Sequence, residues 1–273
     1  MARRLEVVTA LREHGNNGGI KVAPGELKAA RADFATAAIV FNEANTRLVE
    51  AVHPRHYSVV VWGSTRLHEN TPEHQFVANL TQALVERTGC DIITGGGPGI
   101  MEAAPRGALR ARQSAEDGSP AMKARTHGAT IVLPFEEKPN PFLDGHTVHD
   151  GFPTRLQEFM SSANAVYVAP GGIGSLLELM LPLQEKQVRR VEEDFPLIVH
   201  PMYRKILEAV NETFYHDRID RGQIPTINEG DVFNNVVISD DVPLIVGIIE
   251  ESHSRWKKGL RDRVKKEEQG KLF

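Results

Sequence analysis

The chain has 273 residues, 41% hydrophobic and 25% charged, which is enough apolar material for a large core and excludes a chain disordered throughout. A net charge of −4 excludes a strong basic field, so nucleic acid and anionic membranes are not expected partners. The single cysteine, Cys90, excludes an intrachain disulfide and a cysteine-cluster zinc site. Without a signal-peptide pattern or a run of about 18 apolar residues, we expect a soluble, cytoplasmic protein.

The first half of the chain predicts strands that alternate with helices. Residues 1–55 are polar and rich in alanine, and they predict a helical N-terminal extension. The apolar run 57–62 is typical of a strand buried on both faces of a parallel sheet, and it ends in the turn Gly63-Ser64-Thr65-Arg66. A helix follows from Pro72 to about Thr88, with Thr71 as its N-cap.

A second strand is predicted over 90–94, and a glycine turn, Gly95-Gly-Gly-Pro-Gly-Ile-Met-Glu102, joins it to a helix that reaches about Arg112. A loop over 113–127, a third strand over 129–133 and a long loop over 135–150 come next. That long loop contains two histidines, but neither has partners at a metal-ligand spacing, so we predict no metal site.

The second half of the chain repeats the pattern around another glycine turn. A helix over 153–163 carries Arg155 in its first turn, where the helix dipole disfavours a cation unless an anion or a carboxylate holds it. The strand 165–169 then runs through Pro170-Gly-Gly into a helix over 174–187. The remaining predicted elements are a strand over 195–200, a helix over 203–218, a loop with a short helix over 228–241 and a helix over 243–266.

Two glycine turns, each between a buried strand and a helix, predict an anion site. Such turns direct free backbone N–H groups and the positive end of a helix dipole at a ligand. In an open α/β sheet they lie at the carboxyl edge of the strands, where ligands bind. Ser175 adds a hydroxyl in the first turn of its helix, and Glu178 lies one turn further, facing whatever carries the phosphate.

The two turns resemble the motifs of the LOG (Lonely Guy) family, formerly called "lysine decarboxylase-like". Pro170-Gly-Gly-Ile-Gly-Ser-Leu-Leu-Glu178 is similar to its Pro-Gly-Gly-x-Gly-Thr-x-x-Glu signature, with serine in place of threonine. The turn at 95–102 and the segment Pro139-Asn-Pro141 look closest to the branch of pyrimidine/purine nucleotide 5′-monophosphate nucleosidases. Arg155 precedes Pro170 by fifteen residues, as the essential arginine of the family does. The resemblance covers residues 57–220.

The resemblance implies one Rossmann-like, doubly wound domain with a mostly parallel sheet and helices on both faces. The extension 1–55 would precede a catalytic core over 56–220, and a helical C-terminal extension would occupy 221–273. It also implies a homodimer, or a multiple of dimers, with the active site at the dimer interface. The implied reaction cleaves the N-glycosidic bond of AMP or a related nucleoside 5′-monophosphate to free base and ribose 5-phosphate, without a cofactor or a metal.

Residue roles follow from the same resemblance. Glu178 and Arg155 would be catalytic, with Arg155 lowering the pKa of Glu178 and keeping it ionised. Met101 is the candidate for the base pocket. The phosphate and ribose site would be formed by the turn residues Gly63, Ser64, Gly96, Gly97, Gly99, Gly171, Gly172, Gly174 and Ser175.

Other functions remain open at this point. A narrower enzyme would act on cytokinin riboside 5′-monophosphates, although Leu156 replaces a lysine that often follows the family arginine. A non-catalytic protein could use the same turns to hold a nucleotide or a phosphorylated cofactor. A dehydrogenase is disfavoured because the turn at 95–102 does not read Gly-x-Gly-x-x-Gly. A pyridoxal-phosphate decarboxylase is disfavoured because no lysine lies in a recognisable cofactor-anchoring context.

Overall fold

The computed structural model describes residues 56–133, 138–216, 233 and 236–270. These residues belong to one compact unit of the chain, 49–273. The predicted N-terminal extension over 1–55, and residues 217–232 near the predicted boundary of the C-terminal extension, lie outside the described residues. No helix in the described part of the chain is long and apolar enough to cross a membrane.

Seven strands form one sheet in which every neighbouring pair is parallel. The order across the sheet is β4-β3-β2-β1-β5-β6-β7. The strands are β1 Ser58–Trp62, β2 Asp91–Thr94, β3 Thr126–Ile131, β4 Gly145–His149, β5 Ala165–Val168, β6 Leu197–Val199 and β7 Val236–Ile238. The predicted doubly wound α/β sheet is confirmed, and it is parallel throughout its described strands rather than mostly parallel.

Helices cover both faces of the sheet. They are α1 Pro72–Thr88, α2 Ile100–Gln113, α3 Phe152–Ser162, α4 Ile173–Gln187, α5 Arg204–Asn211 and α6 Val242–Gly270. Side chains of α1, α2 and α6 form one core with alternate residues of the strands. Side chains of α3, α4 and α5 form a second core with the intervening residues. Strands buried on both faces explain the continuous apolar runs that the sequence shows at β1 and β5.

Three segments differ from the sequence-based prediction. The predicted loop 135–150 contains β4, an edge strand whose side chains alternate between half-buried and exposed. Strand β3 begins at Thr126, inside the predicted loop 113–127. Strand β7 lies within the segment 228–241, which was predicted to hold a short helix. Both β4 and β7 pair with only one neighbour, so each takes its conformation from that neighbour rather than from a strong apolar pattern of its own.

The chain reverses its direction of travel across the sheet between β4 and β5. Strands β1 to β4 are laid down in order towards one edge, and the chain then returns to place β5 on the other side of β1. The loops that follow β1 and β5 therefore diverge to opposite faces and leave a crevice at their carboxyl ends. Crevices at such switch points are the usual ligand sites of open α/β sheets.

Candidate functional site

A cleft of about 470 Å³ lies at this switch point. Its walls come from the loop after β1, the first turns of α4, and side chains that reach in from α2 and α3. The lining residues are Gly63, Ser64, Thr65, Arg66, Met101, Arg155, Gly172, Ile173, Gly174, Ser175 and Glu178.

The loops around the cleft are tied together by the backbone of Ser64. Its N–H donates to the carbonyl of Pro170 in the turn after β5, at 3.0 Å. Its carbonyl accepts from the N–H of Ile100 at the start of α2, at 2.9 Å. Its hydroxyl accepts from the N–H of Arg66 at 3.0 Å. The backbone groups of Ser64 thus hold the three turns together. Since they already form hydrogen bonds within the protein, they do not serve as ligand-binding groups, although Ser64 borders the cleft.

Two glycines let these turns approach closely. Gly99 has a φ of 68°, and a Cβ there would lie 2.5 Å from the carbonyl oxygen of Ser64. Gly95, which the sequence reasoning did not single out, makes room for the site arginine, since a Cβ there would lie 2.0 Å from Nη2 of Arg155. A larger residue at either position would displace backbone or the guanidinium.

The first turn of α4 presents backbone N–H groups to the cleft. Gly172 is the N-cap residue and makes no side-chain capping bond. Leu176 N–H donates to the Gly172 carbonyl at 3.0 Å, so the N–H groups of Ile173, Gly174 and Ser175 precede the first helical bond. A Cβ at Gly172 or Gly174 would meet no atom within 4 Å, which leaves open space over these donors. The local geometry is that of an anion site.

Arg155 is buried and held from several sides. It is 8% exposed, and its Nε donates to the carbonyl of Ala129 in β3 at 2.8 Å. Its guanidinium carbon lies 5.1 Å from the centre of the Phe159 ring, and Nη2 lies 3.9 Å from Sδ of Met101. Nη2 also lies 3.8 Å from Oε1 of Glu178. These contacts place a fixed positive charge beside the carboxylate.

Glu178 is 9% exposed. Burial raises its pKa to about 7, even though the charge of Arg155 acts in the opposite direction. The prediction that Arg155 would keep the pKa of Glu178 low is therefore wrong in its net sign. The free energy lost when the carboxylate is removed from water exceeds the free energy gained from its attraction to a cation at 3.8 Å. The side chain is left with a pKa close to neutral pH, which is useful for proton transfer.

A second compartment of about 430 Å³ adjoins the first. Thr65, Arg66, Met101 and Arg155 line both and mark their junction. Apart from these four, the second compartment is lined by His68, Gly95, Gly96, Gly97, Pro98, Thr130, Ile131, Leu133 and Pro139. Aliphatic and proline side chains lie beside the glycine turn in this compartment.

The predicted site residues divide into four groups. Gly63, Ser64, Gly172, Gly174, Ser175 and Glu178 line only the first compartment, and Gly96 and Gly97 line only the second. Met101 and Arg155 line both. Gly99 and Gly171 instead provide close packing between described segments, Gly99 against Ser64 and Gly171 against the Ser175 side chain.

Besides Gly95, two side chains at the site were missed. Arg66 lines both compartments, although the sequence showed it only as the last residue of the turn after β1. Asn140 is buried, and its Nδ2 lies within 3.1 Å of the carbonyls of Gly96, Gly97 and Met101. Its own N–H donates to the Gly96 carbonyl at 2.9 Å. The only sequence signal was its place between two prolines, which predicts a rigid turn but no partner.

Replacing Asn140 with alanine is expected to lower the free energy of unfolding by about 2 kcal/mol, because buried carbonyls lose their donor. The glycine turn of the second compartment should loosen as well. Asn164→Ala is a matched control, since the Asn164 side chain accepts from the N–H of Ser58 at the opposite edge of the sheet. Urea unfolding should show comparable losses for both variants. Ligand binding should weaken only for Asn140→Ala, and equal weakening in both would contradict this assignment.

The described geometry can be compared with known proteins. The model of the family described as "Possible lysine decarboxylase" matches residues 101–237, half of the chain. The chain belongs to this family. The matched segment contains Arg155, the whole Pro170–Glu178 signature and the last two residues of the turn at 95–102, Met101 and Glu102.

The chain is 32% identical over 124 residues to the pyrimidine/purine nucleotide 5′-monophosphate nucleosidase of Escherichia coli strain K12. That alignment covers 45% of this chain and 26% of the relative, so the chain matches about a quarter of the relative's length. A molybdenum cofactor binding protein from Rippkaea orientalis superposes with a TM-score of 0.48 and 21% identity, covering 72% of this chain and 97% of that one. A molybdenum cofactor carrier protein from Chlamydomonas reinhardtii gives 0.48 and 18%, covering 73% and 99%.

Proposed function

We propose that the protein is a hydrolase that cleaves the N-glycosidic bond of nucleoside 5′-monophosphates and releases free base and ribose 5-phosphate. The observation that carries the proposal is the buried pair of Arg155 and Glu178, 3.8 Å apart, at the same cleft as the uncapped first turn of α4. The nucleosidase name of the relative from Escherichia coli supports the same class of reaction.

The 5′-phosphate would bind at the first turn of α4. The N–H groups of Ile173, Gly174 and Ser175, together with the helix dipole, suit a phosphate, and Gly172 leaves space for it to approach. The exposed guanidinium of Arg66 offers a further positive charge at the mouth of both compartments. The binding energy of the phosphate, which does not itself react, would hold the ribose in position for the reaction.

The base would occupy the second compartment, beyond Met101. Because Met101 and Arg155 lie at the junction of the two compartments, the bond between ribose and base would cross that junction. Pro98, Ile131 and Leu133 suit packing against the apolar faces of a base, and they offer no side-chain hydrogen bonds to its edges. A nucleosidase with such a pocket would accept several bases.

The chemistry would depend on the Glu178 carboxylate. Breaking the C–N bond builds positive charge on the sugar, and the buried Glu178 carboxylate stabilises that charge. The same carboxylate can accept a proton from the attacking water, whose oxygen bonds to the sugar carbon as the C–N bond breaks. The departing base takes up a proton from solvent, and Glu178 returns the proton that it accepted to solvent. Arg155 would hold Glu178 in position, since its own Nε is fixed on Ala129.

The direct test is a panel of AMP, GMP, CMP, UMP, IMP and isopentenyladenosine monophosphate, with free base followed by chromatography. Release of base from one or more of them supports the proposal and gives the base preference. Release from the isopentenyl compound alone would favour the cytokinin riboside enzyme. A rise in melting temperature with AMP and no base release would replace the hydrolase by a binding protein.

The rate should increase with pH. Since burial raises the pKa of Glu178 to about 7, most of the carboxyl groups are protonated at pH 6 and ionised at pH 8. If the ionised form is active, kcat/KM should rise about tenfold between these pH values. A pH profile on the best substrate of the panel measures this. A profile that falls over the same range would mean that Glu178 donates a proton to the base instead.

We also propose that the protein forms a homodimer whose interface borders the cleft. Ile173, at the start of α4 and in the cleft lining, is 83% exposed, and Leu177 one turn later is 45% exposed. Exposed aliphatic side chains on one helix face favour burial against a partner. Ile173→Asp should convert the dimer to a monomer in sedimentation velocity, and Leu244→Asp, an exposed aliphatic position on α6, should not. A wild-type protein that sediments as a monomer would contradict the proposal.

A further inference from the structure

A buried ionic cluster lies next to the candidate site, on the helix that carries Arg155. Glu158, three residues further along α3, is 4% exposed. Its Oε1 lies 3.1 Å from Nε2 of His127 in β3, and its Oε2 lies 2.5 Å from Nε2 of His149 in β4. The hydroxyl of Thr147 lies 2.8 and 2.7 Å from the two oxygens. These four residues, the Glu158 cluster, have no role in the chemistry proposed above.

The hydrogen bonds of the cluster define which atoms donate. Thr147 gives its one hydroxyl proton to Glu158, so its oxygen accepts from Nε2 of His127 at 3.3 Å. Thr154 gives its proton to the backbone carbonyl three residues before it, so its oxygen accepts from Nδ1 of His149 at 3.2 Å. Each histidine ring thus contacts both the Glu158 carboxylate and a threonine hydroxyl.

The Glu158 carboxylate is the negative centre of the cluster. Burial alone would raise its pKa, but the hydrogen bonds from His127 and Thr147 and the charges of the two histidines outweigh burial, and the pKa lies below its ordinary value. Glu158 and Glu178 thus differ in kind, since the first is a fixed anion and the second has a pKa near neutral pH.

Helix α3 is joined to β3 by two polar contacts. Arg155 Nε donates to the Ala129 carbonyl at 2.8 Å, and Glu158 accepts from His127 two residues earlier on the same strand. Residues three apart share one face of a helix, so the two contacts together fix the rotation of α3 and its height over the sheet. Burial lowers the pKa of Arg155, and the negative charges of Glu178 and Glu158 oppose that effect.

We propose that Glu158 is a positioning residue, which holds Arg155 at its place beside Glu178 through the docking of α3 on β3 and β4. The catalytic consequence rests on the proposed function, whereas the geometric one does not. Loss of the cluster would remove the Glu158 contact of α3 with β3 and would allow α3, and with it Arg155, to shift. Displacements of about 1 Å at a reacting centre can cost about 100-fold in rate.

The first arm of the test observes Arg155 directly. In protein labelled with ¹⁵N-arginine, the Arg155 Nε–H resonance is assigned by its loss in Arg155→Lys, and its exchange with solvent is measured. We expect slow exchange in the wild type and at least about tenfold faster exchange in Glu158→Gln. Asp144→Asn is the matched control, because Asp144 also bonds to β3, at Thr126, but pairs with Arg112 away from α3. It should destabilise the protein and leave the Arg155 signal unchanged.

Thr147→Val removes only one donor to Glu158 and guards against a Glu158→Gln protein that fails to fold. It should shift exchange at Arg155 in the same direction by a smaller factor. Unchanged Arg155 exchange in a folded Glu158→Gln, or in Thr147→Val if the first does not fold, overturns the proposal.

The second arm measures base release. In Glu158→Gln, kcat should fall about 10- to 100-fold, and KM should stay within about twofold because the phosphate and base contacts are untouched. A role in stability alone would lower the melting temperature and leave kcat at the Asp144→Asn value. If the wild type releases no base, the proposed function fails, while the exchange measurement still decides the role of Glu158.

Discussion

Glu178→Gln and Glu178→Ala are expected to lower the rate of base release by about 10³-fold, because each removes the carboxylate that stabilises charge on the sugar. KM should change little, since the phosphate contacts belong to the backbone of α4. Base release from AMP or the best substrate, followed by chromatography at pH 8, measures the loss. Glu185→Gln is the control on the same helix, where Glu185 pairs with Arg190 at 3.2 Å outside the cleft, and it should retain full activity. Activity within a few-fold of wild type in Glu178→Gln would exclude the proposed mechanism.

Glu178→Gln should also increase the free energy of unfolding at high pH. The folded state raises the pKa of Glu178 from 4.5 to about 7, so it binds the proton more tightly than the unfolded chain does. The stability linked to this proton is present below pH 4.5 and is lost as pH rises to about 7. Glu178→Gln avoids the loss, by an upper limit of about 3 kcal/mol at pH 8. Urea unfolding at pH 5 and pH 8 should show the gain mainly at pH 8.

Arg155→Ala should lower kcat by about 10²- to 10³-fold. It removes the cation that lowers the pKa of Glu178, so this pKa should move further above 7 and the rising part of the pH profile should move with it. Arg155→Lys keeps a charge but cannot reproduce both the Nε bond to Ala129 and the contact with Glu178, so we expect it to recover only part of the rate.

Arg112→Lys is the control for Arg155, since Arg112 is also partly buried and paired, with Asp144 at 2.5 Å, but lies away from the cleft. It should affect unfolding and leave the pH profile in place. The pH profile separates the two explanations for a slow Arg155→Ala enzyme. A profile that keeps its wild-type midpoint while the rate falls would show that Arg155 does not act through Glu178.

The sequence was sufficient for the central strands and the two glycine turns, because these depend on local patterns. Strands β1 and β5 are apolar runs, and the two glycine turns directly follow the predicted strands β2 and β5. Strand β4 was not predictable, because its sequence is polar and its conformation comes from pairing with β3.

The residues of the site could be predicted from the sequence, but their burial, pKa values and contact partners could not. The spacing between Arg155 and the signature predicted that Arg155 and Glu178 act together, and Nη2 of Arg155 lies 3.8 Å from Oε1 of Glu178. The pKa of Glu178 depends on how much of the fold covers its carboxylate, which no local pattern encodes. Asn140 and Glu158 act through partners that lie 39 to 44 and up to 31 residues away in the chain, so no local pattern indicated their contacts.

The bonds of Ser64 have a consequence for how the protein folds. They join the turns that follow β1, β2 and β5, so the cleft cannot assemble until β5 has been added beside β1, more than 100 residues later in the chain. A nascent or truncated chain that ends before β5 would hold the first glycine turns without their third partner. The Ser64 amide proton of such a chain lacks its acceptor, the Pro170 carbonyl, so it should exchange freely and become protected only when β5 joins the central sheet.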